Sequence, residues 1–143
     1  MKKTGIVIAG FLAIFQSQLQ AIDLDVEVQR RISNSSIISC AIFESADGFP
    51  SDSSKRLLGV IAVIEKENKP ICKFKGLALK KYAVAVLEDL NGNGGMDKTM
   101  IGMPKEPWGV SNNAPMHTFG PPTFEEASFQ LTTNKTIQIK LNP

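Results

Sequence analysis

The segment KYAVAVL, residues 81–87, decides the fold class that the sequence predicts. Successive side chains of a β-strand point to opposite faces of the sheet, so the segment presents two sets of side chains. One set is Tyr82, Val84 and Val86, and the other is Ala83, Ala85 and Leu87. Both sets are apolar, and a strand that is apolar on both faces is buried on both sides. Residues 81–87 therefore predict the central strand of a β-structure.

Six further segments favour strands around this central one. Residues 22–29, IDLDVEVQ, alternate strictly between apolar and polar side chains, which indicates one buried face and one wet face. The other five segments are residues 36–44, 60–64, 71–75, 127–131 and 137–141. The last two flank a turn at residues 133–135 and predict a hairpin. About seven short strands without a helical period predict an all-β fold, a single antiparallel β-sandwich.

The first 21 residues have the pattern of an export signal. Lys2 and Lys3 precede an apolar run, residues 6–15, and the small residue Ala21 marks a cleavage point. The run is shorter than the roughly 20 residues that span a bilayer. We expect cleavage to leave residues 22–143 as one β-sandwich domain, periplasmic or secreted, with no transmembrane segment. The alternative is that the apolar run is a buried first strand.

Charge limits the classes of partner. The chain has 16 basic and 14 acidic residues, and loss of Lys2 and Lys3 leaves the two signs equal in the mature domain. No basic stripe of the kind that binds nucleic acid is visible, and no basic amphipathic helix suits a membrane surface. We therefore expect a protein or glycan partner and no nucleic acid.

Cys40 and Cys72 are the two cysteines of the chain. An exported protein meets an oxidising compartment, and both cysteines lie on the apolar faces of their predicted strands, so a disulfide is expected. The alternative is two buried free thiols. The two cysteines do not form a CxxC pair, so they do not indicate a metal site.

Residues 89–97, DLNGNGGMD, resemble the first nine positions of a calcium loop of the EF-hand type. Calcium prefers six to eight oxygen ligands, and short Asp and Asn side chains at every second residue can converge on one ion. The predicted ligands are the side chains of Asp89, Asn91, Asn93 and Asp97 and the backbone carbonyl of Gly95. The sequence therefore predicts calcium as a cofactor.

The calcium pattern departs from an EF-hand at its twelfth position. Met100 stands where a bidentate Glu belongs, and no helix is predicted on either side. We expect the remaining ligand to come from Glu106 or Glu88. The alternative is a turn, because Asn-Gly pairs favour tight turns.

A second ligand surface is predicted at Trp108, Ser111, Asn112 and Asn113. It would suit a metal-free adhesion or carbohydrate-binding module. A hydrolase is the third hypothesis, through Ser111 and His117, but Ser111 lacks the G-x-S-x-G elbow. We see no convincing catalytic constellation and expect no enzyme.

An ordered set of short motifs covers the mature chain. They are Tyr82-Ala83-Val84, residues 89–94, Asp97, residues 102–106, residues 109–113 and the segment 120–129 with Gly120-Pro121-Pro122, Phe124, Ala127 and Phe129. Together they resemble exported bacterial proteins of domain-of-unknown-function family 2141. The resemblance implies a small exported β-sandwich, similar to transthyretin-like and carboxypeptidase-regulatory-like domains, and implies no activity. One departure is Lys80-Lys81, where a glycine usually precedes the Tyr-Ala-Val strand.

The preferred interpretation is therefore an exported binding or structural module with one calcium ion in the long loop after the central strand.

Overall fold

The protein is built from two β-sheets, and its computed structural model describes residues 20–29 and 32–143. The strands are β1 Ile22–Gln29, β2 Ile37–Phe43, β3 Leu58–Ile61, β4 Val63–Ile64, β5 Pro70–Leu77, β6 Lys80–Asp89, β7 Trp108–Val110, β8 Phe129–Leu131 and β9 Lys135–Lys140. The first sheet has the order β4-β5-β1-β9. The second has the order β3-β2-β6-β7, and β8 also pairs with β6. One short helix, α1 Phe124–Ala127, and two 3₁₀ turns, Lys66–Asn68 and Ser111–Asn113, complete the regular structure of the described residues.

The all-β prediction is confirmed, while the strand count and one pairing differ from it. The predicted strand at residues 60–64 is divided at Ala62, whose N–H donates to the Ile38 carbonyl. β3 pairs with β2 in the second sheet, and β4 pairs with β5 in the first. Residues 58–64 therefore contribute one strand to each sheet. The short strand β7 was not predicted, because Trp108-Gly109-Val110 is too brief to show alternation.

The predicted hairpin at the end of the chain is wrong. β8 pairs with β6, whereas β9 pairs with β1, and this second pairing is parallel rather than antiparallel. Val26 stands beside Ile137 and Val28 beside Ile139 in the register. Alternation showed that residues 137–141 have one buried face, but alternation does not identify the neighbouring strand.

β6 has the predicted central position. Tyr82, Val84 and Val86 are buried in the main core, which also contains side chains of the first sheet such as Leu24 and Phe74. Its opposite face belongs to a second apolar cluster, described below. Apolar side chains on both sides of β6 therefore hold the second sheet in place.

A disulfide joins the two sheets. Cys40 lies in β2 and Cys72 in β5, with their Cα atoms 6.2 Å apart and both residues buried. The predicted pairing is confirmed. The export signal falls mostly on residues 1–19, outside the described residues, and stays a prediction. In the described part of the chain, no helix has the length and apolar character to span a membrane.

Removal of the disulfide should lower the free energy of unfolding by about 3–4 kcal/mol, because the cross-link restricts a long loop in the unfolded chain. The two cysteines are separated by 32 positions. Urea denaturation of the Cys40→Ala, Cys72→Ala double variant measures this loss. The wild-type protein with its disulfide reduced is the control and should unfold at a similar urea concentration. Equal stability of the oxidised and reduced proteins would contradict the prediction.

Candidate functional site

The outer face of the second sheet, which points away from the first sheet, has a floor of small residues. Gly59 of β3 pairs with Ala41 of β2, and Ala41 pairs with Ala85 of β6. Directly paired residues of antiparallel strands place their side chains on the same face. Because none of the three has a side chain larger than a methyl group, this row forms a shallow trough across the strands.

A second apolar cluster covers one end of this face. Its buried members are Phe43, Ala83, Trp108, Val110, Ala114, Phe124 and Ala127. α1 contributes Phe124 and Ala127, and its position is fixed by Thr123, whose hydroxyl accepts from the Glu126 N–H while the Glu126 carboxylate accepts from the Thr123 N–H. This reciprocal cap satisfies backbone groups at the start of a very short helix.

The rest of the outer face is open and forms a cleft of about 830 Å³. Its walls come from β3, from the long loop between β6 and β7, and from residues 116–121. Ile61, Met103 and Phe119 line it and are exposed, with 68% of Ile61 and 100% of Phe119 accessible to solvent. An apolar cleft with accessible large side chains is typical of a binding surface.

The loop of residues 90–107 is tied down by one buried carboxylate. Glu106 accepts from the Leu90 N–H at 2.9 Å through Oε1 and from the Asp97 N–H at 3.1 Å through Oε2. Glu106 lies just before β7 and is nearly inaccessible to solvent. The Glu106 side chain, at the end of the loop, therefore holds together the start of the loop at Leu90 and its middle at Asp97.

Asp89 organises the first turn of the same loop. Its two carboxylate oxygens accept from the N–H groups of Gly92 at 2.7 Å and Gly94 at 2.8 Å. Both glycines have positive φ, a conformation that residues with a side chain rarely adopt. The N–H donor of Gly94 is the largest cause that lowers the pKa of Asp89 from its usual value of 3.8.

Asp97 lies at the centre of the predicted calcium site. Its carboxylate accepts from the side-chain amides of Asn91 at 2.6 Å and Asn93 at 2.9 Å. The amide oxygens of the two Asn residues point to the loop backbone, where they accept from the N–H groups of Asn93 and Gly95. Three of the predicted ligand side chains therefore converge, with amide nitrogens facing the carboxylate.

The other predicted ligands are placed differently. Glu106 adjoins the loop through its two N–H contacts, whereas Glu88 is fully buried and accepts from Ile32 N–H, Ser33 N–H and the Ser36 hydroxyl. Glu88 is therefore wrong as a loop ligand, because its carboxylate binds the segment before β2. Within residues 20–29 and 32–143, no group of three or more His, Cys, Asp or Glu side chains has the arrangement of a metal site.

The predicted ligand surface at residues 108–113 is largely structural. Ser111 is fully buried, and its hydroxyl donates to the Ala127 carbonyl at 2.6 Å and accepts from the Val84 N–H at 2.9 Å. Ser111 is therefore wrong as a surface residue, because it joins β6 to the end of α1. Trp108 is only 7% exposed, although it lines the cleft.

Asn112 and Asn113 also hold neighbouring segments together. Asn112 donates to the carbonyls of Glu126 and Ser128, and the Asn113 side-chain oxygen accepts from the Lys140 N–H. Both residues have positive φ, which Asn tolerates well. Their amides thus fix the 3₁₀ turn against α1 and β9.

His117 contacts Glu126 rather than Ser111, its partner in the hydrolase hypothesis. Its Nε2 lies 2.8 Å from Glu126 Oε2. This contact, followed by the Thr123 N–H and hydroxyl, lowers the pKa of Glu126 to about 2. The pair braces residues 117–126, which carry Phe119 at the rim of the cleft.

The cleft itself was missed by sequence reasoning. Its walls come from separate segments, and Ile61, Ile101 and Phe119 were not singled out. One signal was available, because residues 96–103 contain Met96, Met100, Ile101 and Met103 within an otherwise polar loop.

A family model described as an uncharacterized protein conserved in bacteria (DUF2141) matches residues 26–140. No curated protein and no solved structure matches the chain.

A fall in pH should destabilise the loop of residues 90–107, because protonation of Asp89 weakens its hydrogen bonds to the loop backbone. A carboxylate with a lowered pKa in the folded state stabilises that state above its unfolded pKa, and the contribution is lost as the pH falls through the folded value. We expect Asp89→Asn to lower the melting temperature at pH 7 and pH 5, and the difference from wild type to narrow below 3.8. Thermal unfolding monitored by circular dichroism across this range measures the effect. Asp47→Asn, at an exposed acid paired with Lys55, is the control and should change the melting temperature little, because an exposed ion pair contributes little to stability. A pH-independent difference for Asp89→Asn would contradict the assignment.

Proposed function

Since the chain belongs to the family of uncharacterized proteins conserved in bacteria (DUF2141), we propose that it is an exported β-sandwich binding module whose ligand lies in the cleft on the outer face of the second sheet. The observation that carries the proposal is the cleft of about 830 Å³ with exposed apolar walls. Ligand sites in proteins have volumes of roughly 300–1,000 Å³ and mainly apolar linings.

Two observations support the sandwich and the export. The two sheets contribute side chains to one core and are cross-linked by the Cys40–Cys72 disulfide. Disulfides persist in oxidising compartments, which agrees with the signal pattern in residues 1–21. The proposal is a binding role rather than an enzymatic one, since Ser111 and His117 are each engaged in structural contacts.

The cleft suits a ligand better than residues 108–113, the surface that the sequence predicts for an adhesion or carbohydrate-binding module. A sugar stacks on an accessible aromatic face, whereas Trp108 is nearly covered. The amide side chains of Asn112 and Asn113 already bind backbone groups. A small apolar ligand in the cleft fits the described residues better than a glycan on residues 108–113.

Binding of the neutral fluorescent dye N-phenyl-1-naphthylamine tests this proposal. We expect the purified protein to raise the dye fluorescence, and Ala41→Phe, which fills the floor, to reduce dye affinity about tenfold. Ile61→Gln, at an exposed position of the wall, should weaken dye binding without altering the melting temperature. Val63→Gln is the matched control, because Val63 is an exposed apolar residue outside the cleft. A dye that does not bind, or that binds all folded variants equally, would refute the proposal.

A second proposal is that residues 89–97 bind one calcium ion. The convergence of Asn91, Asn93 and Asp97 favours it, and Gly95 can add its backbone carbonyl. Calcium binding requires both Asn amides to turn their oxygens from the backbone toward the ion, since nitrogen donors do not bind calcium. This rearrangement and the small number of carboxylates imply a weak site, on the order of 10⁻⁴ to 10⁻³ M.

Calcium at about a hundredfold its dissociation constant should stabilise the fold by about 2.7 kcal/mol. We expect a rise of melting temperature with added calcium chloride and a smaller rise with magnesium chloride, which demands a stricter geometry. Asp97→Ala should abolish the rise, and Asp47→Ala should preserve it. If calorimetry shows neither heat nor a thermal shift, the loop is a turn held by its own hydrogen bonds.

A further inference from the structure

We infer that the ligand of the cleft is an amphipathic anion, a molecule with one apolar chain that ends in a carboxylate. The inference rests on the proposed binding function and adds the chemical class of the ligand. It depends on the position of one arginine, on the charges that line the cleft and on the nature of the apolar walls.

Arg56 lies on the floor of the cleft. A Cβ atom built on Gly59 would approach the Arg56 side chain to 2.7 Å at Nε and 2.8 Å at Cζ. The absent side chain of Gly59 therefore leaves the space in which the guanidinium lies. Gly59 pairs with Ala41, so this space is on the outer face and above the row of small residues. The segment before β3 thus places a positive group against the apolar floor.

The charged side chains of the cleft are mainly cationic. Arg56 and Lys98 both line it, and neither forms an ion pair with any residue of the described part of the chain. Asp89 is the one acidic lining residue among those described, and both of its oxygens already accept backbone N–H groups. His117 is engaged by Glu126. Arg56 and Lys98 therefore outnumber the single lining carboxylate, and neither of the two cations has an ion-pair partner among the described residues.

Of the other cations among the described residues, six lysines are ion-paired, whereas Lys66, Lys105, Lys135 and Lys140 have no ion pair, so the apolar surroundings of Arg56 and Lys98 set these two apart rather than the lack of pairing. Lys55, Lys69, Lys73, Lys75, Lys80 and Lys81 each lie within ion-pair distance of a carboxylate. A guanidinium presents a planar fork of donors that matches the two oxygens of a carboxylate. The charge complement of Arg56 and Lys98 is therefore an anion that the ligand brings.

The walls suit a flexible apolar chain. Met96, Met103 and Met116 line the cleft together with Ile61 and Phe119. Methionine side chains are unbranched and polarizable, and they adapt to partners of different shape. An apolar chain packed between these walls would place its terminal carboxylate beside Arg56, with Lys98 on the facing loop.

Displacement of N-phenyl-1-naphthylamine from the purified protein at neutral pH tests the inference with three ligands of the same chain length. These are laurate, 1-dodecanol and dodecylamine, each used below its micelle-forming concentration. We expect laurate to displace the dye at a concentration about tenfold lower than dodecylamine, because the cleft favours the anion. 1-Dodecanol should compete with an intermediate strength.

Variants assign the effect to the two cations. Arg56→Gln and Lys98→Gln should each weaken laurate competition, by about tenfold for Arg56→Gln, and leave 1-dodecanol unchanged. Gly59→Val, which occupies the space of the guanidinium, should reproduce the loss. Lys105→Gln is the matched control, because it removes the same charge from the same loop at a position that does not line the cleft.

The outcomes separate this inference from the proposed function. If the dye binds but laurate, 1-dodecanol and dodecylamine compete equally, or if Arg56→Gln leaves laurate unaffected, the anionic class is wrong and the apolar binding function remains. If neither the dye nor laurate binds, as measured also by calorimetry, both proposals fail.

Discussion

The structure depends on the burial of both faces of β6. One face contributes Tyr82, Val84 and Val86 to the core that the two sheets share, and the other contributes Ala83 to the cluster around Trp108. Because the hydrophobic effect scales with the apolar area removed from water, a strand with two apolar faces requires a cover on each side. The first sheet covers one face. On the other face, α1 and the surrounding loops act as the cover, and they leave a part of it open as the cleft.

Three carboxylates at the end of β6 and before β7 fix the loops around this strand. Glu88, Asp89 and Glu106 are all buried, and each accepts hydrogen bonds from backbone N–H groups of a connecting segment. A buried carboxylate without such donors would be costly, and buried N–H groups without acceptors would be costly as well. The arrangement satisfies both needs and explains why the loop of residues 90–107 holds a defined path without regular secondary structure.

The same loop links the two proposed sites. Residues 89–97 form the turn in which Asn91, Asn93 and Asp97 converge, and the next residues carry Lys98, Ile101 and Met103 into the wall of the cleft. Glu106 connects them, since its carboxylate binds the N–H groups of Leu90 and Asp97. A change in the conformation of the turn would therefore shift Lys98, Ile101 and Met103 in the wall of the cleft. The small floor, in contrast, belongs to the strands β2, β3 and β6, and Arg56 lies in the segment between β2 and β3 with its guanidinium over Gly59.

The sequence by itself determined the all-β class, the central position of β6 and the pairing of Cys40 with Cys72. For residues 89–97 it predicted a calcium loop, with tight Asn-Gly turns as the alternative. These features follow from local alternation, from composition and from the conformational preferences of Asn and Gly. Only the tertiary structure decided that β9 runs parallel to β1, that Ser111 is an internal connector and that Arg56 lies over Gly59. Each of these depends on contacts between residues that are distant in the chain. The cleft belongs to the same group, because strands and loops that are each unremarkable in sequence form it only when the fold brings them together.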